Sequence, residues 1–281
     1  MEALKKDWRA IRKSFSNMTD HVGLSLASAG LDAFTILAAS FMFSFLFRKL
    51  LTPITTILTF VRRSSEGASE QELLNLIPSK TALNTLFVDM LAQVTLFILA
   101  ILILWVFTQS VSWHIARRIS ERKEGPAFKN YLKRFAAASS LWFAAIYLTT
   151  VLFLRLGLRP AINQLTSSSA LQISIFQQMI IAVGAALILA MLLAMPVSYI
   201  LVYKKDSFNG HIKAFRKQKK NVKQIIIIYI LLIAALALSQ MMQRALAPFI
   251  GAMLLVGFLI DFGLIIMFRL TLMRIVEPEK A

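Results

Sequence analysis

Two carboxylates stand inside long apolar runs, and they are where the chemistry of this chain has to be sought first. Asp32 interrupts the run 22–47 ten residues from its start, and Asp261 interrupts the last run within GFLIDFG. An ionisable group in hydrocarbon is costly and by default points to function. At the helical rise Asp32 lies about 15 Å in, near the midplane, with Asp261 at similar depth. No Lys or Arg shares their level, Arg269 lying two turns further along. Each acid is therefore expected to be protonated rather than paired, because desolvation disfavours its charged form. Asp32 and Asp261 together form a candidate intramembrane polar centre for a proton or cation. The plainer reading, a hydrogen bond from a protonated Asp to a Ser or Thr on a neighbouring helix or simple exposure in a water-filled cleft, carries more weight.

A second polar set sits nearer the other boundary. Asp89 and Gln93 are one turn apart, and Gln177, Gln178 and Gln240 fall at comparable depth, with Gln243 beside them. They outline an outward-facing polar vestibule, although Asp89 is close enough to the boundary to snorkel into headgroups. His21, His114 and His211 fall near the inner boundary without partners at ligand spacing, so no metal site is expected. The chain has no Cys, which removes disulfides, thiolate sites and cysteine nucleophiles. HExxH, GxSxG and Walker patterns are also absent. No cofactor is implied and no catalytic residue can be assigned, which leaves an enzyme the least supported reading.

The elements that must position these groups are membrane helices. The chain is 58% hydrophobic and 16% charged, far from the balance of a soluble domain. Its mean hydropathy is +0.69. Runs at 22–47, 83–107, 136–154, 171–203, 225–242 and 249–273 are each long enough to cross or nearly cross a bilayer. The first is far longer than a signal-peptide core and reads as a retained span. The stretch 50–61 is too short to span and is expected in the opposite interface. Ala182, Ala186, Ala190 and Ala194 recur at four-residue spacing, which invites close approach of a neighbouring helix.

Three basic amphipathic stripes precede apolar runs. Trp8 and Phe15, Phe128 and Phe135, and Phe208 and Phe215 mark their ends, with Lys213, Arg216 and Lys217 among the interleaved cations. These residues are assigned to an anionic lipid surface. The expected fold is an all-α polytopic membrane protein: six transmembrane helices in three hairpins, each introduced by a basic interfacial helix. It forms one membrane domain over 1–281, with candidate repeat units 1–108, 114–203 and 204–273. On that layout 23 of the 31 Lys/Arg lie on one side, which places both termini in the cytoplasm under the positive-inside rule.

The net charge of +17 is confined to short connections, so lipid headgroups rather than nucleic acid are the expected partner, with a partner subunit or second copy as a further one. The layout resembles, in architecture alone, the six-helix membrane domains fused to some glycerophosphodiester phosphodiesterases. That resemblance transfers no site residue. Two functions are weighed equally: a cell-membrane transport or permease component for a small or amphiphilic solute, and a non-catalytic scaffold or assembly factor held on anionic lipid.

Overall fold

The computed structural model describes residues 2–65, 80–121, 127–153, 155–156, 175–202, 216–245 and 250–276. Among them are seven α-helices: α1 (Glu2–Asp20), α2 (Val22–Ser65), α3 (Lys80–Glu121), α4 (Phe128–Phe153), α5 (Ile175–Val202), α6 (Val222–Ala245) and α7 (Ile250–Val276). Helices satisfy every backbone donor and acceptor internally, which is what a run of apolar residues requires in lipid. Among the described residues five stretches are long and apolar enough to cross a membrane: Val22–Lys49, Val88–Ser120, Phe128–Phe153, Ala182–Val202 and Val222–Arg244. By length and composition this is an α-helical membrane protein. Its large exposed side chains, Leu37, Phe41, Phe45, Leu96 and Phe107 among them, are those that lipid would cover.

Two elements differ from expectation. The stretch 50–61 is not separate, since α2 continues through Pro53 as a single helix of 44 residues. The second apolar run does not end at 107. Its membrane-compatible stretch extends to Ser120, taking in Thr108, Gln109, Ser112, Trp113 and Arg117. These polar side chains face helix neighbours, so the helix has no reason to stop where hydropathy falls.

The chain divides into two compact units. Unit 1 comprises Met1–Leu37, Leu104–Ser139 and Met195–Ala281. Its core draws Trp113 and Ile119 from α3, Phe135 from α4, Tyr199 and Ile200 from α5, and Leu270 and Leu272 from α7, all buried. Phe135 stacks on Tyr199 with ring centroids 4.2 Å apart, and Trp113 meets Tyr199 edge-on at 6.1 Å. The Tyr199 hydroxyl accepts from Trp105 Nε1 at 2.9 Å and from Ser139 Oγ at 3.1 Å. Along α7 the residues from Phe268 to Met273 are all buried, so this helix end is enclosed by protein on every side.

In unit 1, α1 docks through its small polar face. Ser14 and Asn17 are buried, and Asn17 Nδ2 donates to Ile119 O at 3.1 Å. Trp8 and Phe15 remain 66% and 54% exposed on the other face. α6 and α7 run antiparallel, Tyr229 facing Phe268 at one end and Gln243 meeting Asp261 at the other. Gly257 leaves room for Gln243 there: a Cβ would lie 2.8 Å from Gln243 Cδ, so a larger residue would displace that side chain.

Unit 2 comprises Ala38–Ile103 and Ser140–Ala194. Thr95 Oγ1 and Tyr147 OH are 3.0 Å apart across α3 and α4. The close approach of α4 and α5 is made at Gly184, where a Cβ would fall 2.5 Å from Phe153 Cγ. The alanine stripe does not make it: Ala182, Ala186 and Ala190 are exposed.

Candidate functional site: a buried ion pair across three helices

The polar residues of α2 that point inward recur at helical spacing: Ser25, Ser28, Asp32 and Thr35 share one face, and all are buried. Opposite them α3 presents Thr108, Gln109 and Ser112, also buried. α7 contributes Arg269. The guanidinium grips Asp32 with both arms, Nη1 donating to Oδ2 at 2.8 Å and Nη2 to Oδ1 at 2.7 Å. This two-pronged geometry is the one that suits guanidinium to carboxylate. The exposures are 3% for Asp32 and 6% for Arg269.

Neutral groups complete the pair. Arg269 Nη2 also donates to Gln109 Oε1 at 2.6 Å, while Gln109 Nε2 donates to Asp32 Oδ1 at 2.9 Å. One amide thus touches both charges. Ser112 Oγ accepts from Arg269 Nη1 and donates to Asp32 Oδ1 at 3.3 Å. Ser28 Oγ lies 2.6 Å from Ser112 Oγ. A directed relay runs outward from the same amide. Gln109 Nε2 donates to Thr35 Oγ1 at 3.2 Å, Thr35 to Thr108 Oγ1 at 2.8 Å, and Thr108 to Leu104 O at 2.8 Å. The Trp113 ring lies 5.3 Å from Arg269 Cζ and covers the cation. Two opposite charges, buried together and each hydrogen-bonded, can persist where either alone would be prohibitive.

This arrangement replaces the expected unpaired acid. Counting helical rise alone puts Arg269 two turns from the level of Asp32, but α7 is placed against α2 so that Arg269 itself stands level with Asp32. Along α7 the stretch Phe258–Ile266 precedes Arg269, just as Val22–Ala29 precedes Asp32 on α2, and both stretches line one groove. The two helices therefore approach the ion pair from the same side, whereas the expected order of hairpins brings them from opposite sides.

Asp261 is in a different environment. It lies eight residues before Arg269, about 12 Å along α7, so the structure does not bring Asp32 and Asp261 into one centre. Its Oδ2 accepts from Gln243 Nε2 at 2.9 Å and Gln240 Nε2 at 3.3 Å. Its Oδ1 is buried without a hydrogen-bond partner among the described residues. Gln243 Nε2 is shared with Ser239 Oγ at 3.1 Å. Among the described residues Asp261 contacts no cation.

Of the proposed vestibule, Asp89 is exposed and Gln93 half-buried, both on α3 within unit 2. Gln240 belongs to the Asp261 cluster of unit 1, and the side chains of Gln177 and Gln178 lie outside the described residues. Of the residues assigned to a lipid surface, Trp8, Phe15, Phe128, Arg216 and Lys217 are exposed. Phe135 is fully buried, because its stripe is the first two turns of α4 itself and Phe135 faces Tyr199. Phe208, Lys213 and Phe215 lie outside the described residues.

Sequence reasoning sets Arg269 aside as out of reach and misses Gln109, Ser112 and Trp113 as its companions. The signal available was the Ser25, Ser28, Asp32, Thr35 spacing, which implies a facing polar partner, and the TQSVSW segment that supplies it. Compared with known protein families, with curated proteins and with solved structures, the chain finds no match.

Proposed function

We propose that this protein is a non-catalytic integral membrane scaffold whose basic amphipathic helices sit on the anionic cytoplasmic leaflet. The observation that carries this reading is the closure of the Asp32 site. The acid best placed to bear a transported proton or cation is held by Arg269 and Gln109 inside packed protein. A transport site exchanges its partners with each cycle, and a carboxylate engaged by three donors from two other helices is instead a joint between them. The exposed aromatics of α1, with Arg9 and Arg12 on the same exposed surface, supply the lipid contact.

The transport reading keeps one observation in its favour, the Oδ1 of Asp261, partnerless among the described residues. Reconstitution into liposomes loaded with a pH-sensitive dye separates the two. The scaffold reading expects proton leak equal to that of protein-free liposomes for wild type, Asp32→Asn and Asp261→Asn alike. A proton flux in the wild type that Asp261→Asn abolishes would replace the scaffold with a proton-coupled carrier.

We also propose a cell-membrane location with the N-terminus and the α3–α4 connection cytoplasmic, on the strength of the Lys/Arg distribution. Six crossings with both termini inside follow from the same distribution. The approach of α2 and α7 from one side favours instead a last helix that does not return as an ordinary inward crossing. The absence of native Cys makes single-cysteine labelling direct. Ser65→Cys and Ser168→Cys should react with an impermeant maleimide from outside, and Ser207→Cys only after permeabilisation. Lys280→Cys decides between the two C-terminal placements: protection supports six crossings, and outside labelling excludes them.

A further inference from the structure

Beside the ion pair, a groove of about 160 Å³ opens between the start of α2 and α7, walled by Val22, Leu26 and Ala29 on one side and Leu259, Phe262 and Ile266 on the other. Its walls are almost wholly apolar, yet Leu26 and Leu259 are about half exposed. One end lies at Met18 and Thr19, where α1 passes into α2. The other end, at Ala29 and Ile266, lies one turn short of the Asp32–Arg269 pair along each helix. Gly263 lies on its wall, and a Cβ there would meet nothing within 4 Å, so the space beside this glycine is open. Two turns before Met18, Arg12 is exposed on α1, with Arg9 one turn further back and also exposed.

We infer that this groove seats one acyl chain of an anionic phospholipid, with its phosphate held by Arg9 and Arg12. The inference rests on the placement of α1 at the cytoplasmic leaflet and not on the absence of transport. An apolar slot with one end at an interfacial helix and the other one turn from a buried ion pair matches a chain that enters from a headgroup. The exposed cations Arg9 and Arg12, on the α1 turns that precede its Met18 end, select the charge of that headgroup. A soluble amphipathic peptide would meet the same apolar walls but would have to displace the bilayer to reach them.

Native mass spectrometry of the full chain in mild detergent tests this by titration with phosphatidylglycerol and with phosphatidylcholine of identical chains. One phosphatidylglycerol per protein should bind about tenfold more tightly than phosphatidylcholine. Arg9→Gln with Arg12→Gln should abolish that preference while leaving phosphatidylcholine affinity unchanged. Gly263→Leu, which fills the slot, should weaken both lipids about tenfold, and Leu26→Trp provides the same occlusion from the opposite wall should Gly263→Leu not fold. Equal binding of the two lipids by the wild type would overturn the inference, as would undiminished binding by a folded occluding variant. Because no step reads flux, this result is separable from the liposome experiment on Asp261.

Discussion

Replacing Arg269 with Leu is expected to destabilise the folded protein by about 3–5 kcal/mol, the range for breaking a buried ion pair by removing one partner. The loss arises because Asp32, 3% exposed, keeps its carboxylate in a site where, among the described residues, Gln109 and Ser112 are the donors that remain. Asp32→Leu strands a guanidinium against Trp113 and should be similarly harmful. The double replacement Asp32→Leu with Arg269→Leu removes both charges together. It should recover about 1–3 kcal/mol relative to the sum of the single changes, the coupling expected of directly contacting residues. Unfolding of purified protein in mixed micelles with increasing denaturing detergent provides the measurement. Additive losses in the double variant would show that the pair is not the joint described, whatever the size of the single effects.

Tyr199→Ala should cost about 3–5 kcal/mol, as for truncation of other large buried aromatics. Its ring is stacked on Phe135 and edge-on to Trp113, so truncation opens a void bounded by three different helices. Tyr199→Phe isolates the hydroxyl. It leaves the ring in place but deprives Trp105 Nε1 and Ser139 Oγ of their common acceptor. Hydrogen bonds between membrane helices average roughly 0.6 kcal/mol with a maximum near 1.7, so Tyr199→Phe should cost about 1 kcal/mol. A Phe variant as damaged as the Ala variant would mean that the hydroxyl, and not the stacking, secures α5.

Both predictions concern the same region, where α3, α4, α5 and α7 meet in unit 1. Tyr199 and Arg269 both contact Trp113: its ring meets Tyr199 at 6.1 Å and Arg269 at 5.3 Å. Trp113→Ala should therefore couple to both sites, and its interaction with Tyr199→Ala should be non-additive.

Helix content, the membrane as solvent and the amphipathic character of α1 follow from the sequence by itself. Apolar runs longer than a bilayer is thick leave few alternatives to a helix, because backbone polar groups must be paired within the segment. The amphipathic spacing of Trp8 and Phe15 is likewise a local property, and both side chains are exposed. The same argument failed at Phe135, which has the same spacing but stacks on a residue 64 positions later. Local periodicity tells which residues share a face; it does not tell whether lipid or another helix covers that face. The partner of Asp32 was illegible for a related reason. Depth along one helix can be counted from residue number, but Arg269 is 237 residues away and its placement depends on how α7 approaches α2. Only the tertiary structure decides that, because an ion pair depends on distances of a few ångströms between helices, and no spacing along the chain encodes them.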